Sequence, residues 1–111
     1  MTNQKDYYVY LFSDVDGTPV YVGKGRGKRA KSHLRASGKK DSNDRLQKLI
    51  SKREEAGFVL EPEIIAQGTE TNMLLVEVAL IQHLGRADKA LGPLFNHTDG
   101  GDGVSNPSDE V

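Results

Sequence analysis

Apolar and aromatic residues gather at a few places along the chain, and each gathering has its own period. Tyr7-Tyr8-Val9-Tyr10-Leu11-Phe12 is dense in aromatic and branched side chains, and that character resumes at Pro19–Val22 after Asp14-Val15-Asp16-Gly17. Such residues suit a pleated, half-buried surface, and an Asp-Gly pair favours a tight turn, so the pattern predicts a β-hairpin. An EF-hand reading of the aspartates fails, because the further acidic ligands and the downstream Glu are missing. After the second strand, Gly23-Lys24-Gly25-Arg26-Gly27 predicts a glycine-rich loop whose amides could approach a phosphate. It lacks the Gly-Lys-Ser/Thr of a Walker loop and the full dinucleotide fingerprint, so nucleotide cofactors are not expected.

Beyond that loop the period becomes helical. Over Gly27–Ala36, Ala30 and Leu34 share one face while Arg29 and His33, also four apart, share another. Gly38–Asp44 predicts a polar loop. Leu46, Leu49 and Ile50 then mark a second amphipathic helix that runs to Ala56 and stops at Gly57. Val59–Ala66 predicts a third strand, in which Pro62 requires an edge position or a late start. Met73–Ile81 reads MLLVEVALI, apolar on every side except at Glu77, which predicts a central, covered helix ending near Gly85. Helical spacing sets Glu77 beside Met73, Leu80 and Ile81. A carboxylate in such surroundings is costly unless something positive meets it, and either a metal ion or an arginine such as Arg29 would answer. Asn96 is a candidate brace through its amide. His83 falls on a helix surface, and His97, Asp99 and Asp102 fall in turns or a mobile tail.

Composition narrows the classes. With 111 residues the chain fits one domain, here divided into a body over residues 1–97 and a glycine-rich, mobile tail over 98–111. The absence of Cys excludes disulfides, thiolate zinc sites and cysteine nucleophiles. No leader-like or membrane-spanning run is evident, so the expectation is a soluble, intracellular, cytoplasmic protein that is not secreted and has no membrane partner. The net charge of −1 hides a strong division. Residues 22–53 carry twelve Lys and Arg against Asp41 and Asp44, or +10, while residues 54–111 carry −9 and residues 1–21 carry −2. The basic block, with Lys24, Arg26, Lys28, Arg29, Lys31 and Arg35 at its head, predicts a face for a polyanion.

Together these residues resemble the GIY-YIG nuclease family. The first motif is carried by Tyr8-Val9-Tyr10 and the second by Tyr21-Val22-Gly23, with Arg29, His33, Glu77 and Asn96 following in the family's order. Tyr8 stands where the family's first motif has glycine, and Arg29 follows the second motif closely. The resemblance implies an α+β domain with a three-stranded, mainly antiparallel sheet flanked by helices. It implies hydrolysis of DNA phosphodiester bonds, in duplex or branched DNA, with Mg²⁺ or Mn²⁺ on Glu77. Arg29 would hold the scissile phosphate and His33 would assist by hydrogen bonding. Tyr10 is the preferred general base, with Tyr21 orienting the water or phosphate and the two tyrosines able to exchange these roles; Lys24 would favour the phenolate, with Gly23 and Asn96 in support. The competing expectation is a noncatalytic nucleic-acid binding module with the same basic face and Glu77 in an internal salt bridge.

Overall fold

The computed structural model describes residues 6–27, 30 and 44–100. Strands β1 (Tyr7–Ser13) and β2 (Pro19–Arg26) form the expected hairpin, and β3 (Glu63–Gly68) adds to the other side of β1, giving an antiparallel sheet in the order β2-β1-β3. Helix α1 (Asp44–Glu55) and helix α2 (Glu70–Leu84) complete an α+β domain, followed by a 3₁₀ turn at Ala87–Lys89. The helix expected over Gly27–Ala36 falls almost wholly outside the described residues.

Strand alternation sorts the core into two layers. Tyr8, Tyr10 and Phe12 face one way and pack with Val20, Ala30, Leu46, Ile50 and Leu60, so α1 covers that side. Val9 and Val22 face the other way and pack with Met73, Ile81 and Leu94, so α2 covers the opposite side. Full burial of a side chain such as Leu46 or Ile81 contributes roughly 1.5–3 kcal/mol, and each helix is held chiefly by two such anchors.

Two expectations change and a third is sharpened. The segment Gly23–Arg26 is strand rather than loop: Gly23 stays in register with Tyr10, Lys24 with Val9 and Arg26 with Tyr7. Helix α2 lies on the sheet with an open outer side, Leu75 being 62% exposed, because one face of a three-stranded sheet buries only one face of a helix. Strand β3 starts at Glu63 instead of Val59, immediately after Pro62, whose missing N–H fits that late start at a sheet edge.

The hairpin turn is tied to α1. Asp14 accepts from Arg53 Nε at 2.7 Å and from Arg53 Nη2 at 2.9 Å, a two-pronged pair that fixes the turn against the last turn of the helix. That pair, more than the Val15 amide, lowers the Asp14 carboxyl from 3.8 to about 2. A depressed carboxyl stabilises the fold above its unfolded value, and the contribution disappears as pH falls through the folded one. Thermal melting across acid pH is therefore expected to show an increment lost between pH 3.8 and about 2, absent in Asp14→Asn. Solvent screening limits the loss in that variant at neutral pH to roughly 1 kcal/mol.

Candidate functional site

The two motif tyrosines meet in one layer. Tyr10 and Tyr21 have ring centroids 6.3 Å apart, and Tyr10 is further boxed by Tyr8 at 6.0 Å and Phe12 at 6.1 Å, both edge-on. Tyr10 is 1% exposed, whereas Tyr21 is half-buried at the margin of the cluster. Of the two phenols, Tyr21 is the one with solvent access, while Tyr10 packs against it from within the cluster. Tyr10 also explains the second motif's glycine: a Cβ at Gly23 would stand 2.3 Å from both Tyr10 Cζ and its hydroxyl oxygen.

Tyr8, in the place of the family's glycine, has a structural task that its sequence position did not announce. Its hydroxyl donates to the Gly27 carbonyl at 2.6 Å and accepts from the Ala30 amide at 3.0 Å, stapling the exit from β2 to the start of the next segment. Its presence on the Tyr10 face is legible from alternation, but the hydrogen bonds are not.

Lys24 takes a different part from the one expected. It is 9% exposed and lies on the α2 side of the sheet, where its ammonium reaches Glu70 at 3.4 Å and sits 5.2 Å from the centre of the Tyr7 ring. Gly23 faces Tyr10, so its neighbour Lys24 must face away, and it neither supports the Tyr10 phenolate nor lies open to a polyanion. Arg26 is more exposed and flanks Tyr7 from the other position, 5.1 Å from the ring centre, with Asp6 at 3.4 Å. Lys28, Arg29, Lys31, His33 and Arg35 lie outside the described residues.

Glu77 sits midway along the sheet-facing stripe of α2, half-buried between Met73 and Ile81, both of which are buried. The Thr69 hydroxyl starts this helix by accepting from the Asn72 amide at 3.1 Å, and Gly85 ends it by donating to the Ile81 carbonyl at 2.8 Å. Glu77 and the tyrosines are thus carried on opposite layers. The chain that joins those layers is the segment after α2. Leu94 packs with the α2 layer, Phe95 with the tyrosine layer, and the Phe95 amide donates to the Val20 carbonyl at 2.6 Å. Asn96, 5% exposed, then works like an extra strand residue on the open side of β2: its Oδ1 accepts from the Val22 amide at 3.0 Å and its Nδ2 donates to the Val22 carbonyl at 2.7 Å. Arg45 stacks over the Phe95 ring at 4.3 Å and fastens α1 to the same segment.

Four residues beyond Asn96, Gly100 lies against Glu77. A Cβ there would be 3.4 Å from the Glu77 carboxyl carbon, 3.2 Å from Val78 and 3.3 Å from Ile81. The four residues from Asn96 to Gly100 span at most about 14 Å, which ties the segment on α2 to the one on the β2 edge. At the beginning of the expected tail, Arg86 Nη1 donates to Asp99 at 2.9 Å and Gly100 packs on α2. The rest of that tail lies outside the described residues. The Arg86 pairing had a sequence signal, since Arg86 and Lys89 are the only cations among eleven carboxylates in the second half of the chain.

Among the described residues no three His, Cys, Asp or Glu side chains gather as a metal-binding group. Glu77 offers a carboxylate of the kind Mg²⁺ takes, an ion that keeps several waters on one or two carboxylates. Among the described residues no helix is long and apolar enough to cross a membrane. No family model, no curated protein and no solved structure matches the chain.

Proposed function

We propose that the chain is a metal-dependent endonuclease that hydrolyses DNA phosphodiester bonds at the β2 edge. The observation that carries the reading is Glu77: a half-buried carboxylate kept in the sheet-facing stripe of α2, with Gly100 beside it. Mg²⁺ or Mn²⁺ bound by Glu77 would supply Lewis-acid stabilisation of charge on the phosphate oxygens. Tyr21 positions the attacking water and takes its proton as phenolate. An unperturbed phenol has a pKa of about 10, so this role needs a neighbouring cation. Lys24 is turned to the other layer, and on this reading the cation comes from the basic segment after β2, with Arg29 holding the scissile phosphate and His33 assisting by hydrogen bonding or proton relay. Tyr10 fixes Tyr21 by packing, and Asn96 fixes the backbone of β2 beside it.

Supercoiled plasmid, flapped DNA and four-way junctions incubated with the protein and Mg²⁺ or Mn²⁺ test the proposal. The expected result is nicking that EDTA abolishes and that favours branched substrates. Salt-sensitive retention of DNA without any cleavage would instead establish a binding module, and no retention at low salt would remove nucleic acid as the partner.

A further inference from the structure

One ion-pair cluster holds the backbone that touches Glu77. Arg86, whose side chain is 11% exposed, spends Nε and Nη2 on the two oxygens of Asp88, at 2.9 and 2.8 Å. This fork sets the plane of the guanidinium and leaves Nη1 for Asp99, at 2.9 Å. The cluster raises the Arg86 pKa and lowers that of Asp88, in both cases mainly through their mutual hydrogen bonds. The base of the cluster is fixed as well, because the Ala87 amide donates to the Leu94 carbonyl at 2.7 Å and the Leu94 amide to the Gly85 carbonyl at 3.0 Å. Asp99 is therefore moored to the rigid end of α2, and the next residue is Gly100.

Gly100 has φ +97°, a backbone state that side chains rarely adopt, and a Cβ there would press on Val78 and Ile81 and reach van der Waals contact with the Glu77 carboxyl carbon. The Asp99-Gly100 backbone is thus a wall beside the carboxylate, and its distance from α2 is set by Arg86. We infer that Arg86 and Asp99 are positioning residues that hold this wall against Glu77 and so fix the orientation of the carboxylate for the reaction. The inference rests on the nuclease reading above. Neither residue touches the reacting atoms. Their effect reaches the site through one peptide unit.

Asp99 is the residue to change, since its side chain is 63% exposed and its removal leaves the core intact. Asp99→Ala is expected to melt like the parent and to show kcat for plasmid nicking reduced about ten- to a hundredfold at unchanged KM, the scale of loss from a small misplacement of a catalytic group. Asp99→Asn keeps an acceptor oxygen for Arg86 and is expected to recover most of that rate. In the ion-free protein, NOEs between the Gly100 α-protons and the Ile81 δ-methyl are expected in the parent and in Asp99→Asn and to vanish in Asp99→Ala. Persistence of those NOEs in Asp99→Ala, or their loss with nicking unchanged, overturns the positioning role. Loss of the NOEs in Asp99→Ala when the parent does not nick overturns the nuclease reading, and with it any catalytic meaning of a mooring that is itself real.

Discussion

Gly23→Ala is expected to be strongly destabilising. The added methyl would lie 2.3 Å from Tyr10 Cζ and its hydroxyl oxygen and 2.8 Å from Cε1, against the ~3.5 Å that carbon atoms tolerate. Relief requires the ring or the strand to move by more than about 1 Å, and neither is free to do so. Tyr10 is 1% exposed and held by edge contacts from Tyr8 and Phe12, while β2 is pinned at Val22 by both arms of the Asn96 amide. Overpacking of a tight core costs typically 1–3 kcal/mol, and here the upper end, about 3 kcal/mol, applies. In a domain of this size that lowers the melting temperature by roughly 12–20 °C. Tyr10→Leu removes the clashing atoms, so the double variant is expected to melt above Gly23→Ala alone, a coupling that a double-mutant cycle measures directly. A Gly23→Ala protein that melts with the parent would show that the ring does not lie over the glycine.

The same contact shows what a single chain makes legible. The hairpin, the second amphipathic helix and the helix carrying Glu77 could all be read from periodicity, because each buries one face and repeats accordingly. The strand identity of Gly23–Arg26 could not. Two glycines and two cations look like a loop by propensity, and only the opposing Tyr10, thirteen residues earlier, shows that Gly23 accommodates a ring instead of a turn. Propensity also misjudged α2. Its apolar run predicts burial on all sides, yet the sheet is too narrow to cover it, and Leu75 remains outside. At the candidate site, residue type pointed to Glu77, Tyr10, Tyr21 and Asn96, but which of the two phenols has access is a tertiary property. Lys24 illustrates the limit most clearly: its charge suggested phosphate, while the parity of the strand sent it to Glu70 on the other layer. The Arg86–Asp99 mooring depends on a contact across thirteen residues of irregular chain, for which no period exists to be read.

Glu77→Gln is expected to abolish nicking while leaving fold and DNA retention intact. The amide is nearly the same size as the carboxyl, so the stripe from Met73 to Ile81 and the contact with Gly100 have no steric reason to change, and the melting temperature should stay within a few degrees of the parent. What is lost is the negative charge, and with it the affinity for a divalent ion, since amide oxygens are weak ligands for Mg²⁺ beside carboxylates. Loss of one main electrostatic contribution to a transition state lowers the rate on the order of 10²–10³-fold. Glu77→Asp keeps the charge but draws it back by one methylene, away from a wall that cannot follow because Gly100 is moored through Asp99, so an intermediate rate is expected. Raised Mn²⁺ should rescue Asp at this position and not Gln. The ordering parent, Asp, Gln at constant DNA retention separates an ion-holding carboxylate from a structural one. A carboxylate serving only as an internal ion-pair partner predicts instead that Gln lowers the melting temperature and that nicking, if present, survives in all three proteins.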